Sequence, residues 1–324
     1  MNTKLHRLWG KAFGAIVAGL IISCASGGTA SSEEKRSFAF QLQDVDLDAL
    51  AASSYKTVVI DYSSDGTDAG RFTAEEIADL KASGKTVLAY LSIGEAEAYR
   101  WYWESAWNTS PPAWLGKENP DWEGNYKVRY WHEEWQALLF NAAGTGSLDK
   151  ILDAGFDGVY LDIVDAYWYW GSEEAVEAGE TAPYSSGDGS STQLERCAAD
   201  MAGLVAVIAA HARSRDADFI VCPQNASEII HDMPADGLPD WWSAIDAIGA
   251  EDTYFYGDLD MDNAWNPQAD VLANLDAFLA QGKDVYCIEY LSASNGSAVD
   301  AFIAAASDRG YAWYAADRDL DTLR

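Results

Sequence analysis

The chain has 324 residues and a formal net charge of −31, with 52 Asp and Glu residues against 21 Lys and Arg residues. This balance argues against nucleic acid as a partner, because phosphate binding needs a basic face. With only four His residues and no CxxC spacing, the chain also gives little support to a zinc site. The length suits one large domain, and no internal linker divides it.

Residues 1–23 have the pattern of an export signal. Three basic residues precede the apolar run 12–22, which is too short to span a membrane. The run ends in IISC, residues 21–24, which resembles the bacterial lipobox. We therefore expect Cys24 to be lipidated as the first mature residue, residues 24–36 to form a flexible tether, and the protein to lie in the bacterial cell envelope, at the outer membrane or cell surface. A plain signal peptide with an unrelated Cys is the alternative.

Cleavage before Cys24 would leave 18 basic and 52 acidic residues. So acidic a surface fits either a saline habitat or a cationic ligand, and composition does not choose between them. Beyond Cys24 the chain has Cys197, Cys222 and Cys287, enough for one disulfide at most. Cys222 and Cys287 lie inside apolar runs, so we expect both to be buried thiols.

From residue 38 onward, apolar runs alternate with amphipathic segments, which indicates parallel βαβ units. The predicted fold class is α/β, a single (β/α)8 TIM barrel over residues 37–324. An open doubly wound sheet is the alternative, but no Gly-rich dinucleotide fingerprint supports it. Nine strands are predicted where a barrel needs eight, and the fourth fits least. They are residues 38–41, 57–61, 86–91, 127–131, 158–162, 219–222, 245–250, 285–290 and 311–315.

The stretch GFDGVYLDIVDAYWYW, residues 155–170, contains the clearest candidate site. Asp162 ends a short apolar run typical of a buried strand, Asp165 follows three residues later, and four aromatic residues come next. Active sites of α/β barrels lie at the carboxyl ends of the strands, so carboxylates beside aromatics there indicate sugar chemistry. The alternative is that either Asp only caps the following helix.

Other predicted strands also end in carboxylates or amides. Two acids from different strands are what glycoside hydrolysis needs, one ionised and one protonated. Five polar endings at one edge predict a cleft. These endings are Asp61-Tyr62, Ser92 to Glu95, Gln224-Asn225, Glu251-Asp252 and Glu289-Tyr290.

Long loops surround this predicted cleft. Seven Trp and Tyr residues fall within residues 99–122, and we expect about half of them to be buried and the others to offer platforms for sugar rings. The acidic loop 171–191 follows the key strand and is expected to overhang the cleft or to be partly disordered. The segment 258–263 alternates carboxylates like a calcium loop, but it lacks the required Gly and Glu, which argues against calcium.

Four motifs, in order along the chain, resemble glycoside hydrolase family 114, whose members include endo-α-1,4-polygalactosaminidases on a TIM barrel. The match runs from about residue 38 to residue 323. The motifs are YLSIGEAE with Tyr99-Arg100 from residue 90, FDGVYLD with Val164-Asp165 from residue 156, PQN from residue 223 and IGAE from residue 248.

The resemblance implies hydrolysis within an α-1,4-linked galactosamine polymer. Separately, we expect the protein to act as a monomer, without metal or cofactor. By motif, the two catalytic acids fall on Asp162 and Glu251. The expected substrate contacts are Asp61, Tyr90, Glu95, Tyr160, Asp165, Tyr167, Gln224, Asn225, Tyr254 and Glu289. A de-N-acetylated polymer is cationic, so an acidic cleft would attract it. Salt adaptation explains the same charge.

Two other functions stay open from the sequence. The chain could be a surface carbohydrate-binding protein that keeps the barrel without turnover, although such a site does not need two acids of opposed protonation. A metal-dependent deacetylase or other hydrolase is the second, and the scarcity of His argues against it.

Overall fold

The computed structural model describes residues 38–181, 183–184 and 192–324. The predicted signal, Cys24 and the tether lie outside these residues, as do residues 182 and 185–191 of the acidic loop. Within the described ranges, no helix combines the length and hydropathy needed to cross a membrane.

Eleven strands and eleven α-helices are present in the described residues. The strands are β1 (Phe38–Gln41), β2 (Thr57–Asp61), β3 (Thr86–Ser92), β4 (Glu95–Glu97), β5 (Leu115–Glu118), β6 (Asn125–Val128), β7 (Gly158–Asp162), β8 (Ile220–Pro223), β9 (Ala247–Glu251), β10 (Asp284–Tyr290) and β11 (Ala312–Ala316). The helices are α1 (Leu47–Ala52), α2 (Ala74–Ala82), α3 (Glu133–Leu139), α4 (Ser147–Ala154), α5 (Ala166–Gly171), α6 (Glu174–Glu177), α7 (Gln193–Arg213), α8 (Ile229–Asp232), α9 (Leu238–Ala244), α10 (Ala269–Ala280) and α11 (Gly296–Arg309).

Eight of the strands are parallel neighbours in two sheets, ordered β1-β2-β3-β7-β8 and β9-β10-β11. Backbone hydrogen bonds join the sheets at both edges. At one seam Asp246 N donates to Val221 O at 2.9 Å, and at the other Leu42 N donates to Leu320 O at 2.9 Å. The sheets thereby close into the predicted (β/α)8 barrel, so the open-sheet alternative is wrong.

Large rings fill the barrel interior. Phe38 packs on Tyr286 with ring centroids 4.9 Å apart, and Phe40 packs on Tyr160 at 5.1 Å. The Tyr160 hydroxyl occupies the space where Gly249 has no side chain, because a Cβ there would lie 1.8 Å from the hydroxyl oxygen. A glycine in β9 therefore allows a tyrosine in β7 to fill the layer beneath the cleft.

The fourth predicted strand, residues 127–131, belongs to an insertion and not to the barrel. Residues 125–128 form β6, which pairs antiparallel with β4 and β5 in a separate sheet that follows β3. Most rings of the aromatic segment pack inside this insertion, for example Trp107 against Trp114 at 5.1 Å. Among the Trp and Tyr residues of the described segment 99–122, Tyr99 and Trp122 are the two that are exposed. Most of these aromatic residues therefore serve packing.

The three remaining cysteines, Cys197, Cys222 and Cys287, are buried free thiols. This confirms the expectation for Cys222 and Cys287. Burial raises the pKa of all three thiols, so none is poised to react as a thiolate.

Gly249→Ala tests the packing of the barrel interior. The added methyl group would displace the buried Tyr160 ring, and we expect the free energy of unfolding to fall by about 1–3 kcal/mol. The matched control is Gly203→Ala, in the exposed interior of α7, where no heavy atom lies within 4 Å of the new Cβ. That variant should gain roughly 0.5–1 kcal/mol, because Ala favours a helix over Gly. Urea melts measure both changes. A Gly249→Ala protein as stable as the original would contradict this packing.

Candidate active site

The carboxyl ends of β7, β8 and β9 turn sharply. Ile163, Asn225 and Asp252 have φ values of 57°, 59° and 50°, the left-handed region that non-glycine residues rarely adopt. Each lies one or two residues past the end of its strand. Such conformations persist where the surrounding structure holds them, and they are common at functional sites. Here they place Asp162 and Glu251 at the mouth of the barrel.

Glu251 is held by donors from two neighbouring strands. The amides of Gln224 and Asn225, which follow β8, donate to Oε2, the second at 2.8 Å. The Tyr290 hydroxyl, at the end of β10, donates to Oε1. Asn225 Oδ1 in turn accepts the Glu251 N–H at 2.9 Å. Both carboxylate oxygens are therefore satisfied, and the group has one orientation.

Asp162 has a different environment. The Tyr90 hydroxyl, on the adjacent β3, donates to its Oδ2 at 2.6 Å. Burial, and next the nearby Glu251 carboxylate, raise the pKa of Asp162 to about 8, although the hydrogen bonds from Tyr90 and the Ile163 backbone act in the opposite direction. Asp162 therefore holds a proton at neutral pH in the unliganded cleft.

A buried ion cluster forms one wall of the cleft. Arg100, which is 4% exposed, donates to both oxygens of Asp61 at 2.8 and 2.7 Å and to Glu97 at 2.6 Å. Glu95 is paired with Lys127 at 2.6 Å and also accepts from Asn119 at 2.9 Å. These three carboxylates face the cavity, and the two cations offset two of their three charges.

A cavity of about 470 Å³ lies over the pair. A second cavity of about 440 Å³ adjoins it and shares the lining residues Trp122, Ile163 and Asp165. A third, of about 100 Å³, shares Asp165 and Glu251. Eight predicted site residues line the first cavity: Asp61, Tyr90, Glu95, Asp162, Asp165, Gln224, Asn225 and Glu251.

Asp165 borders all three cavities, which places it at the junction of the cleft. It occupies the N-cap position of α5, yet its side chain makes no capping hydrogen bond. The helix-capping alternative therefore does not describe Asp165 in this structure.

Two predicted tyrosine contacts are corrected by the structure. Tyr160 points to the same barrel interior as Asp162 but lies one layer lower, fully buried, with no hydrogen-bond partner for its hydroxyl. Tyr167 is also fully buried, and its hydroxyl donates to Asp232 Oδ2 at 2.8 Å, which ties α5 to α8. Neither side chain reaches the cleft.

The predicted contacts Tyr254 and Glu289 are also corrected. Glu289 is fully buried and accepts the backbone N–H groups of Tyr254 at 2.6 Å and Phe255 at 3.2 Å, so it anchors the loop after β9. Tyr254 packs on Phe302 of α11, outside the barrel. Side chains alternate along a strand, so Tyr290, next to Glu289, is the residue that faces the cleft.

Glu97, Tyr290 and Arg318 line the cleft but were not among the substrate contacts expected from the sequence, although Glu97 and Tyr290 lie in segments that the sequence singled out. Tyr290 had a signal, because strand alternation offers it as the partner of Glu289. Arg318 had none, since it follows the last strand by two residues and reaches the cleft through the fold.

Across the described residues, no three His, Cys, Asp or Glu side chains are grouped as a metal would require. In the segment that resembles a calcium loop, Asp262 instead accepts hydrogen bonds from Ser292 N at 3.0 Å and Asn295 Nδ2 at 2.9 Å. It thereby ties the loop after β9 to the loop after β10.

The raised pKa of Asp162 predicts an effect on stability. The unfolded carboxyl group has a pKa near 3.8 and the folded one about 8, so the folded state holds the extra proton and loses stability as the pH rises from 4 to 8. Asp162→Asn removes this dependence. The unfolding free energy of the variant minus that of the original protein should therefore be at least about 1 kcal/mol larger at pH 7.5 than at pH 4.5.

Asp300→Asn, at an exposed position of α11, is the control and should show no such trend. Chemical denaturation at both pH values measures all three proteins. A pH-independent difference for Asp162→Asn would contradict the assigned proton.

Comparisons with known proteins agree with this geometry. The model of glycoside-hydrolase family GH114 matches residues 23–324. An uncharacterized protein of Methanocaldococcus jannaschii is 36% identical over 303 residues, which cover 90% of this chain and 79% of that protein. An uncharacterized protein of Deinococcus radiodurans is 34% identical over 278 residues, 86% of this chain and 78% of that one.

Among solved structures, the glycoside hydrolase domain of PelA from Pseudomonas aeruginosa has the same fold. It aligns with a TM-score of 0.61 and 20% identity, over 89% of this chain and 96% of that chain. The family match spans the whole barrel and includes both carboxylates at its mouth. The chain therefore belongs to glycoside-hydrolase family GH114.

Proposed function

We propose that this glycoside hydrolase cleaves within an α-1,4-linked galactosamine-containing polysaccharide, with Asp162 and Glu251 as the reacting carboxyl groups. One observation carries the assignment of residues. Two acids from different strands meet at the mouth of the barrel, and the pair holds a proton at neutral pH. The class of polymer is inferred from the motifs shared with the family.

Hydrolysis needs one proton and one electron pair from the enzyme. The protonated acid donates to the glycosidic oxygen as the C–O bond breaks, and the ionised acid either attacks C1 or removes a proton from the attacking water. In either case the proton that leaves the attacking water replaces the proton given to the glycosidic oxygen, and the other water proton stays on the new C1 hydroxyl. Asp162 and Glu251 supply both groups without any other titratable residue.

The groove is longer than one sugar, which supports cleavage inside a chain. The first two cavities, of about 470 and 440 Å³, join at Trp122 and Asp165. Trp122 is 49% exposed and borders both, so its ring can stack on a sugar beside the one being cleaved.

A cationic polymer is the form that suits the cleft. Asp65, Glu123 and Asp319 line the same cavity as the catalytic pair, in addition to the carboxylates matched by Arg100 and Lys127. Ammonium groups on a de-N-acetylated chain would be attracted to this edge. Faster cleavage of the de-N-acetylated polymer that weakens as salt is added supports this, whereas equal cleavage of both polymers favours salt adaptation.

We also propose that Cys24 carries a lipid anchor at the cell envelope, for a monomeric enzyme that acts on external polymer. The support is the sequence pattern of residues 1–24.

Asp162→Asn and Glu251→Gln should each lower turnover by at least about 10³-fold, because an amide keeps the shape but neither attacks nor donates as an acid. Binding of the polymer should change little. Asp165→Asn, at the junction of the cavities, should cost about 10-fold, since it orients substrate and does no chemistry. New reducing ends measure turnover, and thermal melts check folding.

Full turnover by a folded Asp162→Asn or Glu251→Gln protein would refute the assignment. Polymer binding by the original protein without any new reducing ends would instead favour the carbohydrate-binding alternative. Azide added to an Asp162→Ala variant and to a Glu251→Ala variant shows which of the two acids attacks C1. In a retaining enzyme, loss of the nucleophile gives a glycosyl azide of inverted configuration, and loss of the acid gives a retained one.

Trp122→Ala should lower kcat/KM on the polymer by about 3–10-fold, the effect of one stacked ring, and leave cleavage of a short activated glycoside within about 2-fold. Trp265→Ala is the matched control, because Trp265 is equally exposed, at 48%, but stacks on Tyr254 and Phe255 outside the cleft. Equal losses on both substrates, or an equal loss in the control, would argue against a stacking role for Trp122.

A further inference from the structure

Arg318 lies between the catalytic pair and the loop that follows β9. Its guanidinium carbon is 3.5 Å from the centroid of the Tyr290 ring. Its Nη2 donates to Asp252 Oδ2 at 2.8 Å, and its Nε donates to the Asp260 carbonyl at 3.0 Å. The planar group is therefore fixed by three contacts and borders the same cavities as Glu251.

Tyr290 connects Arg318 to the reaction. Its hydroxyl donates to Glu251 Oε1, and its ring is 4% exposed. A guanidinium group stacked on an aromatic face is attracted to the ring quadrupole, and it resists rotation of the ring. The position of the Tyr290 hydroxyl on Glu251 thus depends on the stacked Arg318.

Arg318 also balances the charges around Glu251. Two acids lie near Glu251: Asp162 of β7, and Asp252, which follows Glu251 in the chain. Gln224, Asn225 and the Tyr290 hydroxyl are neutral donors, and Tyr160 lies beneath. Arg318 brings a positive charge to this group. Burial acts to lower the pKa of its guanidinium, but Asp252 above all, with a smaller contribution from Glu251, raises it above its usual value.

We propose that Arg318 is a positioning residue of the hydrolase, which holds the Tyr290 hydroxyl on Glu251 and offsets the negative charge of the Asp162–Glu251 pair. This rests on the proposed function of that pair. Its proposed effect on the reaction passes through Tyr290 and Glu251.

Arg318→Met keeps an unbranched stem and removes the charge and the stacked plane. We expect kcat to fall about 10–100-fold with KM within about 3-fold. The acidic limb of the pH profile should move to higher pH, because the variant removes the positive charge beside the Asp162–Glu251 pair. Arg318→Lys retains the charge, so its acidic limb should stay in place while kcat falls. The control is Arg309→Met, which removes the ion pair between Arg309 of α11 and Asp276 of α10, outside the residues that line the cleft. It should change neither kcat nor the acidic limb.

A double-mutant cycle tests the route through Tyr290. If Arg318 acts by holding the Tyr290 hydroxyl, Tyr290→Phe combined with Arg318→Met should lose much less than the product of the two single losses. Multiplicative losses would overturn this route. An unmoved acidic limb in Arg318→Met would overturn the role of its charge, and so would a shift of the same size in Arg318→Lys.

A readout without substrate separates this inference from the proposed function. Carboxyl ¹³C NMR, with the Asp162→Asn and Glu251→Gln spectra for assignment, follows the titration of the pair directly. Arg318→Met should move it to higher pH even if the polymer proves to be the wrong substrate. An unshifted titration would contradict the inference, whereas absence of reducing ends from the original protein contradicts only the proposed function.

Discussion

Two carboxyl groups that cannot both be charged at low cost share one cleft, and much of the surrounding structure controls their repulsion. Glu251 receives three donors, and Asp162 receives the Tyr90 hydroxyl and keeps a proton. The donors come from β3, from the end of β8 and from β10, so these strands have to pack beside β7 and β9 before the pair is in place. The residues after β7, β8 and β9 that adopt left-handed backbone conformations are locally strained, and the surrounding structure holds them in place at this site.

The strongly acidic composition is not a measure of the charge that a substrate meets. Asp61, Glu97 and Glu95 face the cleft, but Arg100 and Lys127 offset two of their three charges within the fold. Exposed carboxylates such as Asp319 add to the negative electrostatic potential at the rim of the cleft, where salt screens their charge. The effect of the net charge on binding therefore depends on a few rim residues, and the total of −31 mainly concerns the outer surface.

Local patterns predicted the barrel and the carboxylates at its strand ends, and the family resemblance selected Asp162 and Glu251 among them. An apolar run followed by Asp162 or Glu251 marks a strand and its carboxyl end at once. The direction in which a side chain points was harder to predict. Side chains alternate along β10, so only one of Glu289 and Tyr290 can face the cleft, and Glu289 was chosen as the substrate contact where the structure has Tyr290. Tyr160 has the correct face but lies too deep, since depth depends on Gly249 across the barrel. Arg100 and Arg318 required contacts between residues distant in the chain, which no local pattern contains.

The seam between β1 and the segment after β11 joins the two ends of the barrel in sequence. Gln41 Nε2 donates to the Asp321 carbonyl across 280 positions, and Leu320 accepts the N–H groups of Leu42 and Gln43. At about 5–20 residues per second of synthesis, β1 waits on the order of 15–55 s for this partner. The barrel can close only after nearly the whole barrel sequence has been made, so β1 spends that time with β2 as its one strand neighbour. For a chain exported as we propose, this topology would delay completion of the fold until synthesis is nearly finished.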